Sequence, residues 1–286
     1  KEGIAHLALA LLDPGDFALV PEPSYPVYEM GTILAGAEPY FMPLKQESDF
    51  LPDLRAVPGK AARRAKVLWL NYPNNPTGAV AEEPLFVEAI EFAKRHEIVL
   101  AHDNAYSEIT YDGFVAPSLL EFEGAKDVGI EFHSLSKSFN MTGWRAGFVC
   151  GNAETIGALG TVKTNIDSGI FNPIQLAGIT ALQKERHVAA EMRGIYQSRR
   201  DYLVGELSGL GWKVTPPRGS IYVWTPVPPG FDSVSFSAHV LDKAGIFFTP
   251  GNAYGPSGEG FVRISLSVPD ERIKEAVSRL KEAFPS

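Results

Sequence analysis

Lys137 stands in Ser134-Leu135-Ser136-Lys137-Ser138-Phe139-Asn140-Met141-Thr142-Gly143-Trp144-Arg145, among small hydroxyl residues and with no carboxylate in the segment. That setting is a poor one for a surface salt bridge. Lysine forms a Schiff base with an aldehyde, and desolvation or neighbouring cations free its amine for that reaction. Ser134, Ser136 and Arg145 could together hold a phosphate dianion, two hydroxyl donors beside a guanidinium able to bind two oxygens at once. The alternative is a solvated loop whose lysine only keeps the surface wet.

Four further positions could do chemistry. Asp103 lies in His102-Asp103-Asn104-Ala105-Tyr106, just past an apolar run, where a carboxylate is either a helix cap or a site residue. Asn75 lies in Asn71-Tyr72-Pro73-Asn74-Asn75-Pro76-Thr77-Gly78, which reads as a rigid turn with φ fixed by two prolines and a left-handed glycine. Tyr25, in Glu22-Pro23-Ser24-Tyr25-Pro26, is either a core tyrosine or a ring for a planar ligand to stack on. Arg263 alternates with Val262 and Ile264, which puts it on the polar face of a strand.

These residues need elements to place them. Phe17–Val20, Val67–Asn71, Ile98–His102, Ile130–Ser134 and Gly147–Cys150 read as short buried strands. Glu82–His96 reads as a helix with Leu85, Ala89, Phe92 and Ala93 on one face. The alternation implies an α/β fold with a mainly parallel sheet covered by helices on both faces. In such sheets functional residues gather beyond the C-terminal ends of the strands, where most of the candidates lie. From Pro173 to Leu210 the pattern is one long helix or two in succession. Val214, Ser220–Thr225, Ile246–Phe248 and Phe261–Val268 then read as strands and Asp270–Phe284 as a closing helix. The expected division is a large domain over residues 1–185 and a smaller α+β domain over 186–286, joined by the long helix that starts near residue 173.

Composition narrows the function. The 286 residues are 45% hydrophobic and 21% charged, ordinary for a globular chain. Thirty-four acidic against twenty-six basic residues give a net charge of −8, and no stretch concentrates Lys and Arg, so nucleic acid is not an expected partner. No apolar run is long enough to span a bilayer. The single cysteine, Cys150, excludes an internal disulfide and fits a reducing, cytoplasmic setting. The chain opens at Lys1 directly into helix-like sequence, Gly3 to Leu12, which reads as a missing N-terminal part.

Ser-x-Ser-Lys followed by Gly-Trp-Arg resembles the cofactor-lysine signature of the class I/II, fold-type-I aminotransferases. The order of the other motifs agrees with it: Tyr25, Asn75, Asp103 with Tyr106, Lys137, Arg145 and a C-terminal-strand Arg263. The resemblance implies a seven-stranded-type sheet, a homodimer and pyridoxal 5′-phosphate bound to Lys137. It also assigns roles. Ser134, Ser136 and Arg145 would hold the phosphate, Asp103 the pyridine nitrogen, Asn75 and Tyr106 the phenolic oxygen. Tyr25 would stack on the ring, Arg263 would bind the substrate α-carboxylate, and a backbone N–H near Gly3 would face the phosphate. Lys137, Asp103 and Tyr106 would be the catalytic set, and Asn75 would also lie against substrate.

Lys163-Thr164-Asn165-Ile166-Asp167-Ser168-Gly169 resembles a segment of LL-diaminopimelate aminotransferases. The implied reaction is transamination between that amino acid and 2-oxoglutarate, a step of lysine biosynthesis, with the segment near a dimer interface or reaching the neighbouring site. Aspartate, alanine or aromatic amino-acid transamination is the alternative within the class. A pyridoxal-phosphate-dependent lyase and a non-catalytic ligand-sensing domain are the alternatives outside it.

Overall fold

The computed structural model describes residues 1–284. In chain order the helices are α1 (Glu2–Leu11), α2 (Val27–Leu34), α3 (Gly59–Arg64), α4 (Glu83–His96), α5 (Ala125–Val128), α6 (Leu135–Ser138), α7 (Ala153–Ile166), α8 (Asn172–Lys184), α9 (His187–Gly209), α10 (Ser233–Ala244) and α11 (Asp270–Ala283). The strands are β1 (Phe17–Glu22), β2 (Glu38–Pro43), β3 (Ala65–Leu70), β4 (Val99–Asp103), β5 (Gly129–Ser134), β6 (Gly147–Gly151), β7 (Tyr222–Pro226), β8 (Thr249–Pro250) and β9 (Phe261–Ser265).

Strands β2-β1-β3-β4-β5-β6 form one sheet in that order, parallel except for the antiparallel edge strand β6. Among the described residues this sheet has six strands, against the seven of the expected type. Its central strands are buried on both faces, and the period of two divides their side chains cleanly. Leu19, Leu68, Leu70 and Leu100 pack under α4 with Phe86 and Ile90. Ala18, Val20, Val67, Trp69, Ala101, Ile130 and Phe132 pack on the opposite face with Ile4 and Leu7 of α1 and Tyr28 of α2. A second sheet, β7-β9-β8, is antiparallel and shares its own core with α9, α10 and α11.

Several expectations change in detail. The polar segment after Pro173 is two helices, α8 and α9, broken at Glu185–Arg186. Ile246–Phe248 is not a strand; the strand is the two residues Thr249–Pro250, because the preceding residues leave the α10 cap at Gly245 with only Phe248 buried. Val214 lies outside any strand. β2 escaped the pattern because it is an edge strand with a single buried residue, Met42, and a proline near each end. α2 and α7 also went unread; α7 starts from an Asn152 cap whose side chain accepts from Thr155 N at 2.9 Å.

Phe86 is fully buried and stacks on Phe122 at 5.3 Å while meeting His102 edge-on. Phe86→Ala should therefore cost about 3–5 kcal/mol, read as a lower urea midpoint at unchanged slope. A loss below about 1 kcal/mol would mean that this face of the sheet is loosely packed.

Candidate functional site

Strands β1, β3, β4 and β5 run parallel, so their C-terminal ends open on one edge of the sheet. The turns leaving that edge carry Tyr25, Asn75, Asp103 with Tyr106, and Ser134 through Lys137. Alternation along β4 turns His102 toward α4 and Asp103 toward the α1–α2 face.

Asp103 is buried, and its carboxylate accepts from the Tyr28 hydroxyl at 2.7 Å. Burial pushes its pKa up; the Tyr28 hydrogen bond and His102 pull the other way without cancelling the rise. Asp103 does not cap a helix; the backbone carbonyl beside that carboxylate accepts from the Asn71 side chain at 2.7 Å, tying β4 to the turn after β3. Tyr28 stacks on Trp69 at 5.1 Å and meets Tyr25 edge-on at 6.1 Å. Sequence reasoning missed Tyr28. The available signal was its place three residues after Tyr25, a spacing that puts two side chains on one side of a helical turn.

Asn75 is held from two sides. Its backbone N–H donates to Asn71 Oδ1 at 2.9 Å, and its side-chain Oδ1 accepts from Arg263 Nη1 at 2.8 Å. The amide NH₂ is thereby left as a donor toward the strand ends. Arg263 comes from β9 of the other sheet, with its guanidinium 3.8 Å from the Tyr222 ring centroid and 4.7 Å from that of Tyr254. Its Nε is buried without a hydrogen-bond partner. A guanidinium fixed in plane by two rings, with a buried donor unspent, is prepared for an anionic fork. Tyr222 and Tyr254 also went unpredicted, since an aromatic in a strand reads as core.

Lys137 is half-buried at the end of α6. Burial first, then the positive charges of Arg145 and Arg263, hold its amine below the ordinary lysine range. Ser134 caps α6, its hydroxyl oxygen accepting from Ser136 N at 3.2 Å, and Ser136 is buried beside it. Arg145 is exposed in a left-handed conformation, φ 55°, with Nη1 donating to Thr142 O at 2.8 Å. Burial and then the neighbouring Tyr222 keep the Tyr106 hydroxyl protonated far above its usual range. α1 begins at the same edge, where the Lys1 side chain lies 5.4 Å from the Tyr25 ring. Gly3 lets α1 approach β5, since a Cβ there would lie 3.0 Å from the Phe132 ring.

Thus the geometry gathers Tyr25, Asn75, Asp103, Tyr106, Ser134, Ser136, Lys137, Arg145 and Arg263 around one strand edge. The Lys163–Gly169 segment lies beside the start of α1. That segment ends α7 and is tied to the first turn of α1 through Lys163 and Glu2 at 3.4 Å, with Ser168 and Gly169 exposed.

Residues 1–280 match the family model for aminotransferase class I and II. The chain is 56% identical over 284 residues to the LL-diaminopimelate aminotransferase of Moorella thermoacetica, covering 99% of this chain and 73% of that protein. It is 55% identical over 283 residues to the enzyme of the same name from Halothermothrix orenii, with the same two coverages. Among solved structures, substrate-bound BacF from Bacillus subtilis superposes with a TM-score of 0.95 at 41% identity, over 99% of this chain and 73% of that one. An aminotransferase from Staphylococcus aureus gives 0.93 at 35% identity, over 99% and 75%.

Because burial and two guanidiniums free its amine, Lys137 should be reductively methylated by limiting formaldehyde and cyanoborohydride ahead of exposed lysines near neutral pH. Peptide mapping by mass spectrometry reads the order; labelling of exposed Lys66 or Lys94 first would contradict the charge environment described here.

Proposed function

The chain belongs to the class I and II aminotransferases, pyridoxal-phosphate-dependent enzymes acting on amino and 2-oxo acids, and from that premise we propose that it transfers an amino group between LL-2,6-diaminopimelate and 2-oxoglutarate. The observation that carries the substrate is identity: relatives of that name match it at 52–56% over nearly its whole length. Aspartate aminotransferase of Thermus thermophilus matches at 30%, which does not favour the alternative substrates.

The residues present fit the cofactor. Lys137 would hold it covalently, Ser134, Ser136 and Arg145 its phosphate, Asp103 its ring nitrogen, Asn75 and Tyr106 its phenolic oxygen, and Tyr25 its face. Asp103 supports this reading best: burial outweighs the groups that favour its carboxylate, and a protonated ring nitrogen in contact with it would supply the missing charge. When bound, the cofactor supplies an electron sink for the carbon that loses its proton.

The rest is the work of this chain. Arg263 has given Nη1 to Asn75, so its Nε edge takes the substrate α-carboxylate, and the Tyr222 and Tyr254 rings keep that edge in one plane. Orientation of the carboxylate fixes where the Cα–H bond points. The Lys137 amine, held below the ordinary lysine range by burial and then by its two guanidinium neighbours, is placed to accept the Cα proton at Nζ and return it to the next atom. Tyr106 stays a hydrogen-bond donor throughout.

Division into a cofactor-bearing unit, residues 1–185, and a smaller unit, 186–286, is part of the same reading, as are cytoplasmic residence and a homodimer. No helix among the described residues is long and apolar enough to cross a membrane. The homodimer is supported by an apolar surface on and around α8: Phe171 is 70%, Leu176 64% and Ile179 49% exposed, with Ile166 and Trp144 also exposed. A patch of this kind at a helix face marks an association surface.

In a screen of amino donors with 2-oxoglutarate, LL-diaminopimelate should give the highest kcat/KM, and Lys137→Ala should abolish turnover while leaving the fold intact by circular dichroism. A higher kcat/KM for aspartate, alanine or an aromatic amino acid would overturn the substrate, and near-wild-type turnover of the variant would overturn the lysine. In sedimentation, the protein should run at twice its 31.1 kDa chain mass, and the double change Phe171→Glu, Leu176→Glu should halve it.

A further inference from the structure

Behind the site, on the opposite face of the sheet, lies a polar cluster that the reaction does not use. His102 and Glu131 are paired across β4 and β5, with side chains 0% and 1% exposed. Glu131 accepts four hydrogen bonds: from His102 Nδ1 at 2.9 Å, His133 Nε2 at 2.7 Å, Ser118 Oγ at 2.9 Å and Leu119 N at 2.7 Å. The second ring nitrogen of His102, Nε2, lies 3.1 Å from the Tyr72 carbonyl. Both nitrogens of His102 therefore face acceptors, a carboxylate and a carbonyl. Only an imidazolium, with a hydrogen on each nitrogen, satisfies both.

A buried ion pair is a costly way to fill a sheet face that apolar side chains fill elsewhere, so its place in the fold matters. The Tyr72 carbonyl belongs to the turn that carries Asn75, and His102 is the residue before Asp103. One imidazole thus touches two of the strand ends that build the site. We propose that His102, held as an imidazolium between Glu131 and the Tyr72 carbonyl, is a positioning residue that pins the Asn75 turn and keeps Asp103 a carboxylate from behind.

Tyr28 of α2 and Tyr106 beyond β4 face the Asp103 carboxylate from the site side, and His102 favours its ionised form from the other. Around Glu131 stand His102, His133 and, from β6, Cys150. Although burial pushes Glu131 up, its hydrogen bonds to the two histidines outweigh that and hold it well below the usual carboxylate range. Phe86 closes the pair from α4.

This inference rests on Asp103 facing the cofactor's ring nitrogen, and the test separates the two. In ¹⁵N-histidine-labelled, cofactor-free protein, with the signal assigned by its loss in His102→Gln, both ring nitrogens of His102 should appear protonated, as its two acceptors require. One unprotonated nitrogen would overturn the inference without reference to the cofactor. Pyridoxal phosphate affinity, followed by absorption, should fall on the order of tenfold in His102→Gln. Removing the positive charge raises the pKa of Asp103, so the loss should widen as pH falls. A loss constant with pH would reduce His102 to packing and overturn the electrostatic role. Should His102→Gln not fold, Glu131→Gln takes its place in the affinity measurement, where the same pH-dependent loss is expected because the imidazolium loses its counter-charge. Asp103→Asn serves as the control: if it binds the cofactor as wild type does, the ring-nitrogen assignment fails and this inference with it.

Discussion

Burial of Asp103 at the end of a strand covered on both faces sets the terms for everything around it. A carboxylate taken out of water is held only by hydrogen bonds or by a nearby positive charge. Tyr28 supplies the first, and Tyr28 is itself fixed by stacking on Trp69. The remaining deficit, seen in the raised pKa, is what a bound pyridinium would meet. Reactivity and fold are coupled through this one position: the core that buries the acid also determines the ligand it accepts.

Charge is distributed in opposite senses on the two sides of the site. Around Asp103 it favours a cationic ligand ring; around Lys137 the guanidiniums of Arg145 and Arg263 disfavour a second cation and leave the amine free. Both guanidiniums have anionic tasks in the proposed reaction, phosphate for one and carboxylate for the other. In that reading the same two charges would bind the reactants and, together with burial, favour the free amine of the lysine.

What the sequence disclosed follows from which interactions leave a local pattern. The strands that carry the candidates are buried on both faces, so each shows as an apolar run ending in a polar residue, and Asp103 and Ser134 could be placed at strand ends from that alone. Lys137 and Arg145 are joined by a fixed spacing within one loop. By contrast, Tyr28 reaches Asp103 across 75 positions and Arg263 reaches Asn75 across 188. Contacts of that range have no periodicity to reveal them. β2 was lost for the opposite reason, an edge strand being too exposed to show an apolar run. His102 and Glu131 were invisible as a pair because each lies in an apolar run that reads as uninterrupted core, although a charged residue inside such a run is itself a signal worth following.

Arg263 belongs to one sheet and Asp103 to the other, so the site exists only while the two are held in register. The register is kept by contacts at the strand edge itself. Ser257 N donates to Glu22 Oε2 at 3.0 Å, Ser24 N to Tyr254 O at 3.0 Å, and Thr110 bridges Gly219. Backbone approaches as close as that at Gly78, where a Cβ would fall 2.5 Å from Pro217, leave no room for a side chain, and φ of +70° disfavours one independently. The turn that carries Asn75 is therefore fixed by the second sheet as firmly as by its own strand. An asparagine placed this way can keep one oxygen on Arg263 and still present its NH₂ to a ligand, so in the proposed reaction Asn75 would be the residue that couples substrate position to cofactor position.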